Sequence, residues 1–142
     1  MPLAGDIITV PTVPGSRIAT TVVTADSAGF ISEIVVMTVV APLVTGRIYR
    51  VKFHGRFGGS SGDTAGGLLR EDSVSGTEMT GQVADIQSGV AGGVFGFEAE
   101  YTATATGNKT FVVTGRRVSG AGTDRLEAAT TRPAYLYVDF IR

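Results

Sequence analysis

Residues 48–57 read IYRVKFHGRF, and apolar and polar side chains alternate along this stretch. Tyr49, Val51, Phe53 and Phe57 share one parity, whereas basic residues and the chain's single histidine occupy the other. Successive side chains of a β-strand point to opposite faces, and the same residues would scatter around a helix. The stretch therefore predicts a β-strand that is buried on one face.

The same pattern recurs along the whole chain of 142 residues, which contains 20 glycines. Short segments rich in Gly, Ser, Asn and Asp separate the runs, and these residues favour turns. Spacing of this kind is typical of sandwiches. We predict an all-β protein, an antiparallel β-sandwich or jelly roll of about eight strands. The predicted strands are 17–24, 30–40, 47–57, 64–71, 78–86, 94–104, 109–119, 125–130 and 133–141.

Residues 1–16 differ from the rest because they carry three of the five prolines. Proline cannot donate a ladder hydrogen bond, so we expect an extended N-terminal arm followed by a single β-sandwich domain over residues 17–142. A frayed terminus is the alternative. An apolar arm needs a surface to lie on, and its candidate docking residues are Ile7, Ile8, Val10 and Val13.

Gly107-Asn108 lies between the runs 94–104 and 109–119 and has the composition of a tight reversal. These two runs are therefore predicted to pair as a hairpin.

Two runs, 34–41 and 134–141, are apolar on both parities. This pattern indicates burial on both faces, although a two-layer sandwich covers only one. A loop, the N-terminal arm or another subunit must cover the second face, and we expect a homo-oligomer. The candidate interface residues are Ile34, Val36, Met37, Tyr135, Tyr137 and Phe140.

Charge and hydropathy argue against several classes of partner. Twelve basic and thirteen acidic residues give a net charge of −1 without a basic block, so nucleic-acid binding is not expected. No apolar run reaches the roughly 18 residues that a membrane helix needs, and the first residues do not resemble an export signal. The chain has no cysteine, which excludes disulfides and thiolate chemistry.

The residues that could support catalysis do not form a recognisable motif. His54 lies on the polar parity of its strand and has no second histidine to share a metal. Glu71 and Asp72 read as a strand end entering a turn, although a dyad of carboxylates distant in sequence remains open. Loop residues Asp63 and Asp124 could bind an ion adventitiously, but no calcium-loop pattern surrounds them. We expect no enzyme activity and no cofactor or metal site.

Five segments resemble a family of small structural proteins from tailed phages of actinobacteria. They are TGRIYRV at 45–51, LREDSVSGT at 69–77, EAEYTA at 98–103, KTFVVTG at 109–115 and RPAYLYVD at 132–139. The resemblance covers about two-thirds of the chain and consists of strand and turn patterns without chemistry.

This resemblance implies a protein of the virion, either of the head or of the tail. It favours a capsid decoration protein that binds the lattice of the major capsid protein as a trimer, made in the host cytoplasm and located on the outer surface of the capsid. The alternative is a minor tail component that binds a receptor or a carbohydrate. A β-sandwich hydrolase is a third and weaker alternative.

Overall fold

The computed structural model describes residues 13–59, 62–86 and 93–142. Within these ranges the chain forms nine strands, and it contains no helix that is long and apolar enough to cross a membrane. The strands are β1 (Arg17–Val23), β2 (Ile34–Leu43), β3 (Ile48–Gly58), β4 (Thr64–Glu71), β5 (Glu78–Asp85), β6 (Gly93–Thr102), β7 (Gly107–Ser119), β8 (Arg125–Leu126) and β9 (Ala134–Phe140).

The strands pair in a nested pattern. β4 pairs with β5, β3 with β6, β2 with β7, and β1 with β9, and every pair is antiparallel. The nested pairs fold over into two layers with the strand orders β1-β9-β3-β6 and β2-β7-β4-β5, while the short β8 joins the first layer beside β3. Eight main strands wound in this way form a jelly roll, which confirms the predicted fold class.

The core lies between the two layers and is built on the stretch at 48–57. Tyr49, Val51, Phe53 and Phe57 are fully buried there, as their shared parity predicts. The ring of Phe57 meets that of Phe95 from β6 at a centroid distance of 4.8 Å. One apolar cluster thus joins both sheets, and the polar side chains of β3 point away from it.

The predicted hairpin across Gly107-Asn108 is wrong. β6 belongs to the first sheet and β7 to the second, so the connection between them crosses from one layer to the other. The edge-on contact of Tyr101 with Phe111, at 5.2 Å between ring centroids, is made across the core. Turn composition identified the reversal but not the layer into which the chain returns.

Two predicted strands differ clearly in extent from those of the structure. Phe30 forms only an isolated bridge with Asp124, and β2 begins four residues later at Ile34. The run predicted at 125–130 contributes only two strand residues. The prediction 64–71 coincides with β4.

The predicted burial of both faces of β2 and β9 does not hold within the single chain. Met37 and Phe140 are 3% and 6% exposed and belong to the core, so they cannot form part of an oligomer surface. The outward faces are partly open, with Val40 of β2 at 51% exposure and Tyr135 of β9 at 37%. The outward faces of β2 and β9 are therefore not fully covered within the single chain.

Candidate functional site

The outer face of the first sheet has two halves of different character. Antiparallel register places outward side chains in rows across β1, β9, β3 and β6. One row contains Val22, Tyr135, His54 and Gly96. The next two rows contain Thr20, Tyr137, Lys52 and Glu98, and then Arg17, Asp139, Arg50 and Glu100.

The last two rows form a ladder of charges with alternating sign. The Nε of Arg17 lies 3.1 Å from an Asp139 carboxylate oxygen, and an Nη of Arg50 lies 3.4 Å from Glu100. Lys52 lies 3.3 Å from Glu98. Exposed pairs of this kind contribute roughly 0–1 kcal/mol each and help to set the register of the strands. Since the charges compensate one another, this half lacks the clustered positive charge that phosphate binding requires.

The other half of the face is apolar and concave. Val94 is 64% exposed and Val22 is 48% exposed on either side of Tyr135 and His54. Gly96 leaves space opposite His54, because a Cβ there would meet no heavy atom closer than 3.9 Å. A groove of about 320 Å³, called here the Val94 groove, lies in this half of the face. It is lined by His54, Gly55, Arg56, Val94, Glu127, Arg132, Pro133 and Tyr135.

Charged side chains form one edge of the Val94 groove. Glu127 lies 3.3 Å from the Nε of Arg56, and its other oxygen lies 3.6 Å from Arg125. Arg132 also borders the groove. An apolar centre with a polar rim is the usual composition of a surface that binds another macromolecule.

The predicted arm meets the sandwich at the opposite end of the same sheet. Ile7, Ile8 and Val10 lie outside the described residues, whereas Val13 is 65% exposed. The amide of Gly15 donates a 2.7 Å hydrogen bond to the carbonyl of Phe140. The chain therefore joins the sheet at the end of β9, beside the charged rows.

The six predicted interface residues do not form one surface. Tyr135 and Tyr137 lie on the outer face of the first sheet, where Arg17 stacks 3.6 Å from the centre of the Tyr137 ring. Ile34 and Val36 belong to β2 in the second sheet and are partly buried. With Met37 and Phe140 in the core, only the two tyrosines share an exposed face.

Sequence reasoning missed Val22 and Val94 as surface residues. Both side chains point outward from the sheet. The outward residue two positions away is Thr20 on β1 and Gly96 on β6. An apolar residue on an otherwise polar parity was the available signal for Val94. The same signal existed for Val22 between Thr20 and Thr24, but its position beside Tyr135 depends on the pairing of β1 with β9.

Comparisons with known proteins find only distant structural similarity. No protein-family model and no curated protein matches the chain. Among solved structures it is similar to one described as "CBM4 structure and function", at 11% identity and a TM-score of 0.37, covering 72% of this chain and 60% of that one.

Two further structures are similar over more of this chain. The VP2 subviral particle of infectious bursal disease virus has 11% identity and a TM-score of 0.44, over 89% of this chain and 38% of that one. Dimeric latent PorU from Porphyromonas gingivalis has 10% identity and a TM-score of 0.45, over 91% and 13%. The chain thus spans less than two-thirds of the length of each of the three. Likeness this low transfers no function.

Proposed function

We propose that the chain is a structural protein of a phage particle, and most simply a capsid decoration protein that binds the major capsid protein on the outer surface of the head. The observation that carries the proposal is the Val94 groove, an exposed apolar surface on a fold whose core is already complete. The resemblance of residues 45–142 to virion proteins of actinobacterial phages supports the same role.

The scaffold suits a role that requires rigidity. The two layers also touch along their edges, where the Thr21 hydroxyl donates to the Thr38 carbonyl at 2.7 Å and the Gly96 amide donates to Gln82 at 3.2 Å. Bonds between edge strands reduce the open backbone that a sandwich exposes. A stiff module with little free edge can stabilise a shell without pairing indiscriminately with other chains.

The Val94 groove provides the proposed contact with the capsid. Val94 and Tyr135 line the groove, and Val22 lies beside Tyr135. These exposed side chains gain free energy when they are buried against an apolar surface, at roughly 25 cal/mol per Å² of apolar area. Arg56, Glu127 and Arg132 remain at the rim and orient the partner. The partner surface should therefore combine an aliphatic or aromatic side chain with charged neighbours.

The N-terminal arm is the second proposed contact. It joins the sheet at the end opposite the Val94 groove, so the two contacts would lie on different parts of the surface. Removing residues 1–12 should leave the hydrogen bond from Gly15 to Phe140 intact. The truncated chain should stay folded and bind capsids more weakly.

Self-association into a trimer is a further part of the proposal. Since Tyr135 lies in the Val94 groove, the proposed trimer surface is the outer face of the first sheet around Tyr137, and not β2 together with Phe140. Native mass spectrometry at micromolar concentration should detect trimers, and a monomer alone would remove this part of the proposal.

A capsid-binding assay with matched valine substitutions tests the main proposal. Capsids from a phage that lacks the gene are mixed with purified protein, and bound protein is measured after sedimentation. Val94→Asp should weaken binding at least about tenfold, equivalent to about 1.4 kcal/mol, because it places a charge in the apolar contact.

Val83→Asp is the control, because Val83 is an exposed valine, 51% accessible, on the edge strand of the second sheet. It should bind as the wild type does. The role of the groove is refuted if Val94→Asp binds capsids as well as the wild type does, or if both variants lose capsid binding equally.

A carbohydrate-binding or receptor-binding tail protein is the second candidate. Tyr135 supplies an exposed aromatic face beside His54, and the charged rim residue Glu127 could accept hydrogen bonds from sugar hydroxyls. Binding on a glycan array that Tyr135→Ala abolishes, together with no binding to capsids, would favour this candidate over decoration.

A further inference from the structure

Two aspartates are buried together at one end of the sandwich. Asp63 immediately precedes β4 of the second sheet, and Asp124 immediately precedes β8 of the first. Asp63 is 2% exposed and Asp124 is fully buried. The pair plays no part in the Val94 groove or in the charged rows.

Three of the four carboxylate oxygens in this pair lack a hydrogen-bond donor within the described residues. Asp63 Oδ1 accepts hydrogen bonds from the amides of Ala121 and Gly122, at 3.0 and 3.2 Å. Among residues 13–59, 62–86 and 93–142, no donor reaches Asp63 Oδ2 or either carboxylate oxygen of Asp124. Buried carboxylates without donors are costly, so these oxygens require either a shared proton or a bound cation.

Within the described residues, no basic side chain forms an ion pair with either carboxylate. Arg117 is near enough to favour ionisation of Asp124, but its guanidinium donates to the carbonyl of Gly122. Burial, followed by the charge of Asp63 and its hydrogen bonding, raises the pKa of Asp124 to about 6. The two carboxyl groups therefore lie close enough to interact directly.

The backbone around the pair is shaped to bring oxygens together. A Cβ on Gly59 would collide with Asp124 Oδ1 and would lie 2.7 Å from the carbonyl oxygen of Thr123. A Cβ on Gly120 would collide with Asp63 Oδ1, and Gly120 has a φ of 100° that favours glycine. Glycine at both positions lets the two loops close on the carboxylates.

We propose that Asp63 and Asp124 bind a divalent cation, with calcium as the best fit. The ligands would be the free oxygen of Asp63, the carboxylate of Asp124 and the carbonyl of Thr123. In the described part of the chain no three acidic or histidine side chains converge on one point, so water and further carbonyls must complete the shell. Calcium accepts such an irregular set of roughly 6–8 oxygens, whereas magnesium demands near-octahedral geometry.

A cation in this position would link the two sheets. It would hold the end of the loop that leads into β4 against the end of the loop that leads into β8. Calcium would therefore act as a structural ligand that stabilises the end of the sandwich nearest the Val94 groove. This inference stands independently of capsid binding.

Thermal unfolding and calorimetry of the full chain test the site directly. The protein is treated with EDTA, dialysed and titrated with CaCl₂ at pH 7.5. A calcium concentration about 100-fold above Kd should raise Tm by about 5–10 °C, with one binding site by calorimetry. Magnesium at the same concentration should raise Tm less.

Asp124→Asn and Asp63→Asn should abolish both the heat of binding and the rise in Tm. Each substitution keeps a carbonyl oxygen in place, and an amide at position 63 can still accept hydrogen bonds from Ala121 and Gly122, so a melt in EDTA will verify that the variants fold. Asp72→Asn is the control, because Asp72 is an exposed acid at the other end of β4. It should respond to calcium as the wild type does.

The proposal is overturned if millimolar calcium neither binds to nor stabilises the wild type, or if Asp124→Asn keeps the full response. A wild type that ignores calcium while both asparagine variants melt higher in EDTA would mean that the two carboxyl groups share a proton instead.

Discussion

Glu33 shows at the scale of one residue how the outer face of the second sheet is held together. Its carboxylate accepts hydrogen bonds from Arg70 Nε at 2.6 Å, from Arg70 Nη2 at 3.2 Å and from the Thr114 hydroxyl at 2.6 Å. Burial alone would raise the pKa of Glu33, but these hydrogen bonds and the charges of Arg70 and Arg116 outweigh it and lower the pKa. The ionised form therefore stabilises the fold.

A pH-dependent loss of stability follows from this carboxylate. Because the pKa of Glu33 is lowered in the folded state, the stabilisation from its ionised carboxylate is fully present above about pH 4.5, the ordinary pKa. It is lost as the pH falls through the folded-state pKa. Glu33→Gln should lower the free energy of unfolding by about 1–3 kcal/mol at pH 7. Urea titrations at a series of pH values should show the gap to wild type narrowing below pH 4.5.

Glu100→Gln is the matched control, because the Glu100 side chain is 49% exposed and pairs only on the surface. It should cost less than about 0.5 kcal/mol at any pH. If the difference in the free energy of unfolding between Glu33→Gln and the wild type stays constant down to pH 3, the stabilising role of ionised Glu33 is contradicted.

β3 is the element on which the first sheet depends. It pairs with both β6 and β9, contributes buried aromatic side chains on one face and presents Arg50 and Lys52 on the other. Arg50 lies opposite both Glu100 and Asp139, and 3.6 Å from Glu98. Its positive charge is thus surrounded by carboxylates on the two neighbouring strands.

Reversing the charge at this position should destabilise the sheet. Arg50→Glu should cost about 1 kcal/mol or more, because like charges then stand opposite each other across two strand pairs. About 1 M NaCl should recover part of the loss, since salt screens exposed charges. Thermal melts at low and high salt measure both effects.

The double variant Arg50→Glu with Glu100→Arg separates charge pairing from the loss of arginine packing. It should recover a measurable part of the stability lost in Arg50→Glu. If neither the double variant nor salt restores stability, the charged rows do not contribute to the register of the strands.

In the whole molecule, the two strands of a pair are separated by very different numbers of residues along the chain. β4 and β5 are joined by a short turn, whereas Arg17 and Asp139, which pair at the opposite end of the nest, are 122 residues apart. Loop-closure entropy favours formation of the closest pair first and delays pairing that is distant in sequence. We therefore expect folding to begin at β4 and β5 and to finish with β1.

Refolding kinetics test this order. The wild type should refold in roughly milliseconds to seconds, as other folds dominated by distant contacts do. Met79→Ala on β5 should slow refolding, whereas Ile18→Ala on β1 should mainly accelerate unfolding. Both side chains are partly buried against the core, so the two variants are matched.

Stopped-flow tyrosine fluorescence can follow the reaction, because the chain has four tyrosines and no tryptophan. The reverse assignment, with Ile18→Ala slowing refolding and Met79→Ala accelerating unfolding, would refute the proposed order.

The sequence by itself determined that the protein is all-β, where most strands lie and which side chains of the stretch 48–57 enter the core. These properties are local, because the two-residue repeat of a strand appears in any run that buries one face. The same repeat does not specify a partner. The hairpin across Gly107-Asn108 was predicted wrongly for this reason, and Met37 and Phe140 were placed on a surface although they lie in the core.

Only the tertiary structure decided which strands pair, and with them the Val94 groove and the buried aspartate pair. Val22 comes to lie beside Tyr135, and Asp63 beside Asp124, through contacts between segments at least 61 residues apart along the chain. The physical reason is that strand pairing is made by backbone groups that every residue except proline carries, so the choice of partner depends on how the whole chain closes its core.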